Sequence, residues 1–162
     1  MNITMLGLGK LGLPVAECMA TAHTVKGYDI STDIKSDVIT ICHSLWNACQ
    51  DADIIFIAVP TPHHPDYDGS KPTTHLPVKD FDYSLVIDTL KSCEQYAKPN
   101  QIVSLISTVL PGTTRREFSK YTKNYKFVYN PYLIAMGSEA YDMVHPDMVI
   151  IGTESGQKTD AS

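Results

Sequence analysis

The residues that decide the fold are the first thirty, MNITMLGLGKLGLPVAECMATAHTVKGYDI (1–30). A strand-like run over 2–6 leads directly into the pattern G-x-G-x-x-G at 7–12. A helix-forming stretch and a second strand-like run follow before Asp29. Strand, glycine loop, helix, strand and acid in this order predict a β-α-β unit that binds a dinucleotide.

Each glycine of this loop has a predicted physical role. Gly7 allows a tight turn after the strand, Gly9 lets a pyrophosphate approach the backbone, and Gly12 lets the helix lie close to the sheet. The N–H groups of the first helical turn then face the phosphates, and Asp29 accepts hydrogen bonds from the adenosine ribose. The alternative is a glycine-rich turn that binds nothing. The predicted cofactor contacts here are Gly7, Leu8, Gly9, Lys10, Leu11, Gly12 and Asp29.

Composition limits the function classes. A length of 162 residues suits one domain, and 43% apolar with 19% charged residues is typical of a globular protein. The net charge of −5 gives no electrostatic reason to expect nucleic acid or an anionic membrane as partner. The sequence has no run of about eighteen apolar residues, so we expect no membrane span. The chain enters its first strand at once, so we expect no signal peptide.

The four cysteines are scattered and form no C-x-x-C pair. This spacing favours four buried or half-buried, reduced thiols over disulfides or a metal site, and it predicts a cytoplasmic protein.

Strand and helix signals alternate along the rest of the chain. They predict an α/β fold, with a doubly wound, mostly parallel Rossmann-type sheet in a single domain over 1–152 and a polar tail over 153–162. Further strands are expected at 37–42, 53–59, 101–108, 127–129 and 148–151, and further helices at 45–50 (capped by Ser44), 83–97 (capped by Asp82) and 111–121. We expect Trp46 to pack rather than to bind a ligand.

The run 53–59 is the most apolar in the chain, which predicts a central strand covered on both faces. It ends at Pro60-Thr61-Pro62, where the prolines remove backbone donors and the chain must leave the sheet. In a doubly wound sheet, ligands bind at this carboxyl edge.

A long loop follows at 63–80, with four prolines or glycines that favour a polar lid. It also contains possible metal ligands, but their spacing matches no metal site and no strand or helix would fix them, so we predict no metal. These residues are His63, His64, Asp66, Asp68 and His75.

Four blocks of the chain, in order, resemble the amino-terminal domain of the UDP-glucose/GDP-mannose dehydrogenase family. They are GLGKLGLP (7–14), DADIIFIAVPTP (51–62), STVLPGTT (107–114) and PDMVIIG (146–152). The resemblance covers nearly the whole chain, and the second and third blocks are far more specific than the glycine loop.

The resemblance implies that the cofactor is NAD. Besides the glycine loop and Asp29, it implies that Val59, Pro60, Thr61, Ser107 and Thr108 line the nicotinamide side. Thr61 would also help to position a catalytic water. The family oxidises the C6 alcohol of a nucleotide sugar to a carboxylate in two NAD-dependent steps, through intermediates on a cysteine.

Two departures from the family pattern bear on catalysis. Tyr132 and Met136 stand where the family has two working glutamates, and neither can act as a general base near neutral pH. The family's catalytic cysteine and lysine lie in later domains, joined by a helix that would begin near 153–162. We therefore expect a domain that is incomplete or inactive alone. A full-length form would act on a nucleotide sugar and could form a homodimer.

Two other interpretations stay open. One is a non-catalytic NAD-binding module that acts as a sensor or as part of an assembly, which the lost glutamates favour. The other is a dehydrogenase of the 6-phosphogluconate type, which also begins with G-x-G-x-x-G but which the second and third blocks disfavour.

Overall fold

A six-stranded parallel sheet forms the centre of the computed structural model, which describes residues 1–133 and 137–154. Its strand order is β3-β2-β1-β4-β5-β6, with every neighbouring pair parallel. This is the order of a doubly wound dinucleotide-binding sheet, so the predicted fold class is confirmed. The strands are β1 (Asn2–Leu6), β2 (Thr24–Tyr28), β3 (Thr40–Ile41), β4 (Ile54–Ile57), β5 (Ile102–Leu105) and β6 (Lys126–Tyr129).

Helices cover both faces of the sheet, and side chains along each strand alternate between two apolar cores. In β1, Met5 packs against Val15 and its neighbours on one face, whereas Leu6 packs on the other face. The helices are α1 (Gly12–Met19), α2 (Leu45–Cys49), α3 (Ser84–Tyr96) and α4 (Glu139–Val144). Within the described ranges, no helix has the length and apolar character needed to cross a bilayer.

Two buried polar side chains fix the helices to the strands. The Thr4 hydroxyl donates to the Ala48 carbonyl at 2.6 Å, which ties β1 to α2. The Gln101 amide, 2% exposed, donates to the carbonyls of Cys49 (2.7 Å) and Ala52 (2.6 Å). Because these carbonyls are buried, losing their partners would leave unsatisfied acceptors at a cost of about 1–3 kcal/mol each.

The strand predicted at 37–42 is shorter than expected, because only Thr40–Ile41 pairs with β2. The hydroxyl of Ser36 accepts hydrogen bonds from the N–H groups of Val38 (3.2 Å) and Ile39 (3.4 Å). These bonds turn the backbone locally and take two donors away from the sheet.

The strand predicted at 148–151 is wrong. These residues are between 41% and 60% exposed, and only Gly152 forms a bridge with the sheet, antiparallel to Tyr129. Asn130 instead donates its side-chain amide to the Ile150 carbonyl at 2.8 Å. A purely apolar run predicted a buried strand, but in the described residues no neighbouring strand covers this run.

Two smaller predictions also need correction, and a third falls mostly outside the described residues. The helix expected over 111–121 is a π-helical turn (Thr114–Phe118) followed by a 3₁₀ turn (Ser119–Tyr121), which together place Phe118 in the core. Trp46 does not pack; it is 54% exposed because α2 buries its opposite face through Ala48 and Cys49. Of the predicted tail 153–162, only the first two residues are described.

The helix ends follow the sequence more closely. The Ser44 hydroxyl accepts from the Asn47 N–H at 3.2 Å, so the predicted cap of α2 is confirmed. The Asp82 carboxylate accepts from the Ser84 N–H at 2.9 Å, immediately before α3.

Candidate cofactor site

The glycine loop is shaped by two close backbone approaches. Gly7 has φ +94°, and a Cβ there would lie 2.5 Å from the Ala58 carbonyl oxygen. A Cβ at Gly12 would overlap the Gly7 carbonyl and lie 2.9 Å from its carbon. Real Cβ atoms do not approach backbone atoms this closely, so both positions require glycine. The two glycines therefore bring the ends of β1 and β4 and the start of α1 together.

Gly9 differs from both, because a Cβ at this position would meet nothing within 4 Å. Gly9 and Lys10 are exposed, whereas Leu8 is buried and Leu11 packs partly against the α1-side core. The backbone at Gly9 is thus the part of the loop that is open to a ligand.

The first turn of α1 faces the same open side. Leu11, at its N-cap, makes no side-chain capping hydrogen bond, and no acidic side chain lies in the first turn. The helix dipole and the free N–H groups of this turn favour an anion there.

Asp29 lies against the loop, as the sequence predicts. One carboxylate oxygen accepts from the Leu8 N–H at 2.6 Å, and the other accepts from the Ser31 N–H at 2.8 Å. A carboxylate can accept about four hydrogen bonds, so both oxygens keep capacity for ligand hydroxyls. The two backbone bonds fix the carboxylate at the carboxyl end of β2.

The segments after β4 and β5 are joined side by side. The Ser107 hydroxyl donates to the Val59 carbonyl at 2.7 Å, and the Thr61 hydroxyl donates to the Thr108 carbonyl at 2.8 Å. Pro60 is exposed between them. Since Gly7 abuts the carbonyl of Ala58, the glycine loop and these two segments share one edge of the sheet. The predicted site residues therefore cluster at the carboxyl edge.

Tyr132 differs from a glutamate in both its contacts and its acid–base chemistry. Its hydroxyl donates to the sulfur of Met143, and its ring packs with the α1-side core. Burial, followed by the charges of Cys18 and Asp142, raises the pKa of Tyr132 to about 12. The phenol is therefore neutral near pH 7 and cannot replace a carboxylate as a base. Met136 lies outside the described residues.

The cysteines match the prediction of four buried or half-buried thiols. Cys49 and Cys93 are fully buried, but Cys18 and Cys42 are half-buried. The Cys18 thiol donates to the Ala140 carbonyl at 3.4 Å, beside α4. All four thiols are free. In the part of the chain that the structure describes, no three His, Cys, Asp or Glu residues are grouped as metal ligands.

A second concavity lies outside the predicted site. It is an open groove of about 520 Å³ beside β3 and α2, whose lining includes Lys26, Cys42 and the exposed Trp46. None of the predicted cofactor contacts lines it.

Sequence reasoning missed one polar residue next to the site. It placed Tyr83 only as the start of a helix, but the side chain is buried and its hydroxyl binds Asp80, Leu110 and Thr113. The signal available was a tyrosine at a helix start, three residues after an aspartate. That signal does not reveal the partners, which lie in a distant segment.

Comparison with known proteins decides the family. The model of the UDP-glucose/GDP-mannose dehydrogenase family, NAD binding domain, matches residues 34–162, which is most of the chain. The chain belongs to this family. It corresponds to the family's NAD-binding domain, so the predicted cofactor, NAD, is confirmed. The match begins after the glycine loop and Asp29.

Individual relatives agree with this placement. The chain is 28% identical to UDP-N-acetyl-D-mannosamine dehydrogenase of Methanococcus vannielii, over 93% of this chain and 38% of that protein. It is 31% identical to Protein CapL of Staphylococcus aureus, over 96% of this chain and 39% of that protein. The chain thus spans about two fifths of the length of these curated relatives.

A solved structure confirms the fold. GDP-mannose dehydrogenase from Pseudomonas aeruginosa, in a ternary complex, superposes with a TM-score of 0.76 at 20% identity. The match covers 94% of this chain and 41% of that one.

The loop geometry predicts that Gly9 and Gly12 respond differently to substitution. We expect Gly9→Val to abolish NAD binding while the domain stays folded, because the side chain would occupy open space that the pyrophosphate needs. Gly12→Ala, the matched control, should instead lower the midpoint of thermal unfolding, because its Cβ overlaps backbone. Calorimetric titration and circular dichroism measure the two effects. NAD affinity of Gly9→Val within about twofold of the parent would contradict the site.

Proposed function

We propose that the carboxyl edge described above is the NAD site, and that the chain is the cofactor-binding part of a nucleotide-sugar 6-dehydrogenase. One observation carries the proposal: the glycine loop, Asp29 and the bonded Thr61–Thr108 pair lie along one edge of the sheet. In this order of strands, that edge contains the crevice in which dinucleotides bind.

The residues present fit the cofactor from one end to the other. The open backbone at Gly9 and the first turn of α1 would hold the pyrophosphate. Asp29 would accept hydrogen bonds from the adenosine ribose, and the segments after β4 and β5 would contact the nicotinamide half. NAD, when bound, supplies a hydride acceptor.

Thr61 has a defined hydrogen-bonding role in this proposal. Its hydroxyl proton is donated to the Thr108 carbonyl, so toward a ligand the oxygen can only accept. A water held by Thr61 would therefore donate a proton to Thr61 and keep its lone pairs directed elsewhere. This orientation suits a water that acts as a nucleophile, which is the role that the family resemblance gives to Thr61.

The nucleophile for nucleotide-sugar oxidation would come from elsewhere. Cys49 and Cys93 are enclosed in the core between α2 and α3. The Cys18 thiol donates a hydrogen bond to the Ala140 carbonyl in α4. Cys42 opens into the groove near Trp46 rather than beside Thr61. Since the chain spans about two fifths of its relatives, we propose that the oxidation belongs to a longer protein. Pairing of two copies and a cytoplasmic location stay predictions.

A second candidate function keeps NAD binding without chemistry. It is favoured by the neutral phenol of Tyr132, which stands where the family resemblance expects a carboxylate. In this case the chain would report or respond to NAD as a sensor or an assembly part.

Asp29 predicts that NAD binds more tightly than NADP. A 2′-phosphate about 4 Å from this carboxylate would cost on the order of 4 kcal/mol per unit-charge pair at an effective dielectric near 20, before screening. We expect at least about tenfold weaker NADP binding by calorimetry. Asp29→Asn, which removes the charge but can still accept from Leu8, should narrow the difference. Equal or tighter NADP binding by the parent would refute the role of Asp29.

We also predict that these 162 residues do not oxidise a nucleotide sugar alone. The chain lacks a thiol at the site edge, and acid–base help alone is worth about 10²–10⁴-fold. The assay is NADH appearance at 340 nm with UDP-glucose, UDP-N-acetyl sugars and GDP-mannose at high protein concentration. Steady NADH production that Thr61→Ala abolishes would reveal a catalytic arrangement within the chain and overturn this account.

A further inference from the structure

The hydroxyl of Tyr83 is the centre of a partly buried polar network. Tyr83 is 6% exposed and precedes α3. Its hydroxyl donates to the Asp80 carboxylate, and accepts from the Leu110 N–H at 3.1 Å and from the Thr113 hydroxyl at 3.2 Å. A phenol offers one donor and two acceptor sites, so this hydroxyl is fully used.

The surroundings keep the phenol protonated. Its ring packs edge-on against Phe118, with centroids 5.7 Å apart and an interplanar angle of 88°. Burial raises the pKa of Tyr83 above its usual value, and the hydrogen bond to Asp80 acts in the same direction. The donor that holds Asp80 is therefore present throughout the neutral pH range.

The partners of Tyr83 belong to the two chain segments that border the nicotinamide side. Asp80 ends the long loop 63–80, whose base is closed by a bond from the Asp82 N–H to the Pro62 carbonyl at 2.9 Å. Leu110 and Thr113 belong to the segment 107–113, which follows β5. Tyr83 thus joins the loop after β4 to the segment after β5.

Arg116 reinforces this junction. One of its terminal nitrogens pairs with the Asp80 carboxylate and also donates to the Thr113 hydroxyl at 3.3 Å. Its Nε donates to Glu117 at 2.8 Å, which fixes the plane of the guanidinium. Because Arg116 and Asp80 are partly exposed, their ion pair contributes little, and the hydrogen bonds of the buried Tyr83 side chain carry most of the junction.

The segment 107–113 is consequently fixed at both ends. At its start, Ser107 donates to the Val59 carbonyl and Thr108 accepts from Thr61. At its end, Tyr83 holds Leu110 and Thr113. Because only one residue separates Leu110 from Thr108, the bond of Leu110 to Tyr83 restrains the backbone next to the Thr108 carbonyl, which accepts from Thr61.

We propose that Tyr83, with Asp80, is a positioning residue for the nicotinamide half of the cofactor site. It touches no cofactor itself; it holds the segment 107–113 so that Thr108 can orient Thr61. This inference rests on the proposed function, since it assigns a nicotinamide half to this part of the edge.

The test compares two ligands on one variant. Tyr83→Phe removes the hydroxyl and keeps the ring in the core. ADP-ribose contains the adenosine, the pyrophosphate and both riboses of NAD but lacks nicotinamide. By calorimetry we expect Tyr83→Phe to weaken NAD binding by about fivefold or more, since the Leu110 N–H and the Thr113 hydroxyl lose their acceptor. ADP-ribose binding should stay within about twofold, because the glycine loop and Asp29 are unaffected.

Tyr125→Phe is the matched control. Tyr125 is equally buried, belongs to the same core and donates to the Tyr121 carbonyl at 2.6 Å, but it lies before β6 at the opposite end of the sheet. Loss of the Tyr125 hydroxyl should lower the midpoint of thermal unfolding and leave the affinities for NAD and ADP-ribose unchanged. A purely structural role for Tyr83 would give this same pattern.

The outcomes separate the inference from the proposed function. If Tyr83→Phe weakens both ligands equally, or neither, the positioning role is wrong while NAD binding stands. If the parent binds neither ligand, both proposals fail. Should Tyr83→Phe not fold, Asp80→Ala must show the same selective loss of NAD affinity, and equal effects on the two ligands would overturn the inference.

Discussion

The constraint on which the structure depends is the contact of bare backbone at Gly7, Gly12 and Ala58. A Cβ at either glycine would collide with a backbone carbonyl, so no side chain can separate β1 from β4 or α1 from β1 at this point. The close approach places the start of α1 directly over the carboxyl edge. Because the loop between β1 and α1 is short, a ligand that contacts the open backbone at Gly9 also reaches the first turn of α1.

Side-chain hydrogen bonds to the backbone then convert this edge into a defined site. Asp29 accepts from the glycine loop on one side, while Ser107 and Thr61 join the segments after β4 and β5 on the other. Each bond is modest, at about 0.5–1.5 kcal/mol net, but together they fix the relative positions of three loops. The proposed site is therefore largely preformed, which would lower the ordering cost of binding NAD there.

The sequence predicted the parts of the fold that depend on local chemistry. The glycine spacing, the cap at Ser44 and the position of Asp29 follow from backbone geometry that a few residues dictate. It failed where distant contacts decide: an apolar composition suggested a strand at 148–151, which depends on a neighbour that composition cannot reveal. The bonds of Tyr83 to Leu110 and Thr113 span 27 and 30 residues, beyond the range of any local pattern.

The central claim is that NAD occupies the carboxyl edge, and backbone amide chemical shifts during titration with NAD test it most directly. We expect the largest changes in chemical shift at amides of the glycine loop, the start of α1 and the loop at Asp29, and at Thr61 and Thr108. Amides near Tyr125, at the opposite end of the sheet, should not move. Shifts confined to the groove beside Trp46, with the glycine loop unchanged, would contradict the account.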